Sequence, residues 1–121
     1  MVLVDTSVWV SHLRKGNSNL ERLLNDCDVI CHPFIIGELS CGNLKNRSEI
    51  LTLLQALPMA TQVEHEEVMH FIENKQLMGK GIGYVDVHLI ASAVLTDVPI
   101  WTLDKTLNEI STKLGLSFDK R

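Results

Sequence analysis

Val2-Leu3-Val4-Asp5-Thr6-Ser7 is the stretch on which the fold turns: a short apolar run stops at a carboxylate, and two hydroxyl residues follow at once. A run of this length fits a buried strand, and Thr6 or Ser7 can cap a helix that begins where the strand ends. A strand that delivers an acid at its C-terminal end into a following helix is a common way of placing chemistry in an open α/β sheet. Glu38, Asp86 and Asp104 repeat the theme. Each interrupts or ends an otherwise apolar segment, where an ionised carboxylate is costly unless something compensates it.

Outward from that stretch, the spacing predicts a helix through Val8, Trp9, Val10 and Leu13 that Gly16 stops. Ser18 and Glu21 have capping-box spacing and open a second short helix through Leu20, Leu23 and Leu24. Asp28 to Cys31 reads as the next strand, and Pro33 leads into a helix carrying Phe34, Ile35, Glu38 and Leu39 as far as Gly42. Residues 48–57 have helical spacing closed by Pro58, and residues 59–63 form a weaker strand candidate. Glu64, Glu66 and Glu67 occupy the first turn of a helix through Val68, Phe71 and Ile72, where negative charge complements the dipole. Gly79, Gly81 and Gly83 then break the chain before a helix over 84–96, a strand over 98–103, a helix over 106–114 and an edge strand over 116–118. Short apolar strands alternating with helices predict an α/β fold, with a short, mostly parallel sheet flanked by helices on both faces.

A chain of 121 residues is read as one domain spanning 1–121, large enough to bury a core without staples. Its 45% hydrophobic share fits a globular protein, and no apolar run reaches membrane-spanning length. The first residues lack a basic region, a sustained apolar stretch and a cleavage site, so a cytoplasmic location is expected. Cys27, Cys31 and Cys41 are odd in number and never paired as Cys-x-x-Cys, which favours reduced thiols over disulfides or structural zinc. A formal net charge of -4 disfavours gripping nucleic acid through bulk positive charge. It leaves room for an enzyme in which metal ions and a few basic residues hold phosphates.

Helical geometry sharpens the reading of the acids. Leu89, Ile90, Ala93 and Val94 follow Asp86 at helical intervals, so Asp86 heads a core-facing stripe. Glu38 shares a face with Phe34 and Ile35 one turn earlier and with Cys41 and Gly42 one turn later, and both acids are expected to point inward or into a cleft at the core's edge. Asp5 and Asp104 end strands, so three distant acids meet along one sheet edge if strands 1 and 98–103 are neighbours, with Glu38 in reach. Crowded carboxylates raise one another's pKa and need a cation to ionise together. All-oxygen ligation points to Mg²⁺ or Mn²⁺, ions that clamp phosphodiesters and activate water, which predicts a nuclease or phosphatase. Taken singly, the acids have plainer roles: Asp5 and Asp104 as helix caps, Asp86 as a dipole partner, Glu38 as a buried acid paired with Lys or Arg.

Four segments, in this order along the chain, carry a family resemblance: Val2-Leu3-Val4-Asp5-Thr6-Ser7-Val8-Trp9, Ile36-Gly37-Glu38-Leu39, Gly83-Tyr84-Val85-Asp86-Val87-His88-Leu89-Ile90-Ala91 and Trp101-Thr102-Leu103-Asp104-Lys105. Together they resemble the PIN domain family, close to the VapC-like toxins of type II toxin-antitoxin pairs. The resemblance implies a three-layer α/β fold and a Mg²⁺- or Mn²⁺-dependent endoribonuclease, with Asp5, Glu38, Asp86 and Asp104 as its catalytic and metal-binding acids. It also implies an RNA substrate, a small antitoxin protein that blocks the cleft, and a homodimer. Ser7 matches a position where the family often has a small polar residue near the metal. Thr106 stands where many members carry a further Asp, which leaves open whether one ion or two bind.

Other readings are weaker. Gly79-Lys80-Gly81-Ile82-Gly83 lacks the Lys-Ser/Thr ending and the preceding strand of a phosphate loop, so it reads as a flexible turn. A receiver-like signalling domain needs adjacent acids after its first strand, and a haloacid-dehalogenase-type phosphatase needs Asp-x-Asp where this chain has Asp5-Thr6-Ser7. A non-catalytic protein- or RNA-binding module of the same fold is the remaining alternative.

Overall fold

Residues 1–119 are described by a computed structural model. Three short strands form a parallel sheet: β1 (Val2–Val4) lies between β2 (Val29–Ile30) and β3 (Ile100–Trp101), in the order β2-β1-β3. Leu3 sits opposite Ile30 on one side and Ile100 on the other, and Val4 opposite Trp101. All strand residues are buried, as expected of parallel strands covered on both faces, whose sequences run apolar without alternation.

Seven helices surround the sheet among the described residues: α1 (Thr6–Lys15), α2 (Ser18–Asn25), α3 (Pro33–Ser40), α4 (Arg47–Gln55), α5 (His65–Lys75), α6 (Tyr84–Thr96) and α7 (Lys105–Lys113). The α/β class and the parallel sheet are as the sequence predicts, with helix boundaries shifted by a residue or two. Two caps differ. Asp5, rather than Thr6 or Ser7, caps α1 by accepting from the Ser7 N–H. Asn17, rather than Ser18, caps α2 through the Leu20 N–H at 3.0 Å; its side chain reaches the third residue on, which leaves Ser18 as the first helical position.

The two outer strand candidates shrink to single bridges. Met59 pairs only with Cys31, and Ser117 only with Ile100. The Ile100 N–H donates to Leu116 O at 2.7 Å and the Phe118 N–H to Ile100 O at 3.1 Å, so residues 116–118 do lie along the sheet edge without extending it.

The chain leaves β1 to one side, builds β2, then returns to place β3 on the opposite side. The direction of winding therefore reverses at β1, and in open α/β sheets ligands bind beyond the strand ends at that reversal. Asp5 is the first residue past the central strand. Between α5 and α6 the chain turns back through Gly79 and Gly81, whose φ of +71° and +76° suit glycine. The return brings the start of α6 beside the start of α5, where His65 and Tyr84 share a hydrogen bond.

Among the described residues all three cysteines are free. Burial pushes the Cys31 thiol up to about 11, so it behaves as an unreactive core group. No helix of the described residues is long and apolar enough to cross a membrane.

Candidate active site

Asp5 is buried at 5% exposure, and two hydroxyls hold it. Ser7 Oγ donates to its Oδ2 at 2.8 Å, and Thr102 Oγ1 donates to the same atom at 2.7 Å. The network continues outward: the Leu103 N–H donates to Ser7 Oγ at 2.9 Å and the Asp104 N–H to Thr102 Oγ1 at 3.0 Å. Oδ2 is thus committed to positioning, and Oδ1 takes no part in that network. Thr102 is central here although the spacing of acids did not single it out. The signal lay in its place, between the end of an apolar strand and an acid two residues on.

The strand expected over 98–103 is confined to Ile100–Trp101, so exposed Asp104 stands three residues past β3, where it caps α7, its Oδ2 accepting from the Leu107 N–H at 2.8 Å. Glu38 is also exposed, so of the two placements expected for it, inward or in a cleft at the core's edge, the structure has the second. The buried stripe of α3 is Ile35 and Leu39, one turn apart, and Glu38 sits about 100° round the helix from Leu39, on the rim. It is tied there by Thr6 Oγ1, which donates to its Oε1 at 2.7 Å. The pairing of Glu38 with a Lys or Arg does not occur: among the described residues none of the four acids lies within ion-pair distance of a basic group.

Asp86 occupies the first turn of α6, half-buried. Its carboxyl is pushed up to about 6, first by burial and then by the negative charges of Asp5, Asp104 and Glu38. All four acids therefore share one electrostatic neighbourhood, at the reversal point of the sheet. The plain roles and the shared site are not exclusive, because Asp5 and Asp104 cap helices with one oxygen each while contributing charge to the cleft. Among the described residues no three of His, Cys, Asp and Glu close into a ready-made ion cage. Carboxylates without a neutralising cation repel one another, which favours an open arrangement. The donor set is oxygen only and suits a hard divalent ion. Thr106 is half-buried on the first turn of α7.

Beside the acids runs a row of rings. His32 is buried and its Nδ1 accepts from the Phe34 N–H at 3.0 Å, so its proton is on Nε2, 3.2 Å from Ser92 Oγ. Burial, helped by the charge of His88, pulls His32 down to about 4. Ring centroids lie 5.0 Å apart for His32 and Phe34, 4.9 Å for Phe34 and His88, and 4.6 Å for His88 and Tyr84.

The fold and the acidic cleft define the class: a family model for the PIN domain matches residues 2–113, and the chain belongs to that family. Among individual proteins, it is 40% identical over 118 residues to Ribonuclease VapC32 of Mycobacterium tuberculosis strain CDC 1551 / Oshkosh, an alignment covering 97% of this chain and 95% of that protein. Ribonuclease VapC32 of strain ATCC 25618 / H37Rv matches with the same identity and coverage.

Proposed function

We propose that the chain is a metal-dependent endoribonuclease, the toxin of a type II toxin-antitoxin pair, which hydrolyses single-stranded or looped RNA and leaves a 5′-phosphate. The observation that carries it is the gathering of four carboxylates, unpaired with any base among the described residues, at the sheet's reversal point: burial, and after it the charges of Asp5, Asp104 and Glu38, raise the pKa of half-buried Asp86. Membership of the PIN family and likeness to proteins named ribonucleases support the substrate class.

Asp5, Glu38, Asp86 and Asp104 would hold Mg²⁺ or Mn²⁺, which neutralises the scissile phosphate and makes water a competent nucleophile. The chain's own contribution is positioning. Ser7 and Thr102 fix Asp5, Thr6 fixes Glu38, the first turn of α6 presents Asp86, and Asp104 is held as the cap of α7. Half-burial of Asp86 keeps bulk water from diluting the field at the cleft.

The fold also offers a seat for the antitoxin. Trp9, Leu13, Leu24, Ile50, Leu53 and Leu57 line an apolar groove of about 310 Å³ between α1, α2 and α4, dimensions suited to the apolar face of an amphipathic helix. A cytoplasmic homodimer completes the proposal.

The test is cleavage of RNA in Mg²⁺ or Mn²⁺ by the wild type and by Asp5→Asn and Glu38→Gln. Loss of cleavage in both variants supports the site. Equal cleavage by all three rejects it, and a wild type that binds neither ion in calorimetry returns the chain to a non-catalytic module.

A further inference from the structure

We propose that the exposed ring of Tyr84 is a stacking platform for a nucleobase, seating single-stranded RNA against the acidic cleft. The inference rests on the ribonuclease function above and adds the group that receives the substrate.

Tyr84 is 44% exposed although it stands in the first turn of the most buried helix of the fold. Core packing does not account for a ring left so open. It is nevertheless fixed from two sides. Its hydroxyl is hydrogen-bonded to His65 Nδ1, and its ring meets His88 nearly perpendicularly, at 82°. His88 is itself buried at 5% exposure against Phe34. A surface tyrosine normally loses rotamer freedom when it binds something, whereas this one is ordered in advance.

Its place is set by α3, which runs antiparallel to α6. His32 faces Ser92 and Phe34 faces His88, so Glu38, further along α3, falls at the end of α6 that carries Tyr84 and Asp86. The platform is therefore at the level of the acids. Charge favours an uncharged contact here. Glu64, Glu66 and Glu67 are exposed at the start of α5, next to His65, and join the four site acids in repelling phosphates. A base offers a π-face that stacks on an aromatic ring without needing positive charge, and does so with little regard to sequence.

The experiment uses a fluorescently labelled single-stranded RNA oligonucleotide and the same oligonucleotide with abasic sites, with Ca²⁺ replacing Mg²⁺ to hold the strand uncut. Tyr84→Ala is expected to weaken binding of the intact strand roughly tenfold, with Tyr84→Phe and Tyr84→Trp close to wild type. Leu95→Ala, at the other end of α6, leaves binding unchanged. The abasic strand is expected to bind wild type and Tyr84→Ala alike, and in cleavage assays Tyr84→Ala raises KM more than it lowers kcat. Wild-type affinity of Tyr84→Ala for the intact strand overturns the platform alone. So does an equal loss on both strands, which marks Tyr84 as a structural residue. A wild type that neither binds nor cleaves RNA overturns the ribonuclease function and the platform together.

Discussion

Thr102 Oγ1 and Asp5 Oδ2 are 2.7 Å apart across 97 residues of chain. The bond bridges the ends of two neighbouring parallel strands, just past the last ladder pair of Val4 and Trp101. It makes the central acid's orientation a property of how β1 and β3 align.

Replacing Thr102 by Val keeps the shape and removes the donor from a buried carboxylate. Thr102→Val is expected to lower the unfolding free energy by about 1–3 kcal/mol in urea titrations. It is also expected to cut kcat by roughly ten- to a hundredfold, because Asp5 Oδ2 loses the hydroxyl that orients it. Thr102→Ser, which keeps the hydroxyl, is expected to recover most of both.

Thr6→Val gives the complementary outcome. Glu38 is exposed, so losing its hydroxyl partner leaves stability within about 0.5 kcal/mol of wild type. RNA cleavage is expected to fall severalfold because the acid gains rotamer freedom. A loss of stability as large as that of Thr102→Val would contradict the rim position of Glu38.

Divalent ions are expected to stabilise the fold. At about a hundred times the dissociation constant, Mg²⁺ should add about 2.7 kcal/mol, seen as a rise in the melting temperature. Asp86→Asn is expected to remove most of that gain. A melting curve that Mg²⁺ leaves unmoved would show that the four acids do not act together on an ion.

Acid should destabilise the ion-free protein through His32. Its folded pKa, about 4, lies below the ordinary 6.5, so the unfolded chain binds the proton more readily between these values. The stabilising contribution is full above about pH 6.5 and is lost as pH falls through about 4, a change on the order of 3 kcal/mol. Asp86 works in the opposite sense. Its folded pKa is raised to about 6, so its contribution is present below the ordinary 3.8 and lost as pH rises through about 6. Denaturant midpoints from pH 7 to 4.5 should therefore fall less for His32→Asn, and more for Asp86→Asn, than for wild type.

Much of the fold was legible because its strands are buried on both faces and therefore stand out as bare apolar runs between capped helices. Asp5 was readable as a strand-end acid for the same reason, whereas Asp104 stands three residues past the shorter β3 and caps α7. For Glu38 two placements stayed open, inward or at the core's edge, because apolar neighbours one turn away do not fix which side of a short helix faces the core; the buried pair Ile35 and Leu39 turned it to the rim. Thr102 was missed because its place between a strand end and an acid marks the position but not the role, which depends on a partner 97 residues away. The caps at Asp5 and Asn17 went to side chains one residue earlier than the hydroxyls, since several residues of capping type stand in succession at both helix starts.

The cross-strand lock also bears on biosynthesis. Asp5 is translated 97 residues before Thr102 and earlier still than Asp104. The nascent polypeptide has no complete acidic centre until Asp104 has been translated. The apolar groove, by contrast, uses only residues from Trp9 to Leu57. A neutralising partner able to recognise that groove could engage the growing chain before the nuclease is ever assembled.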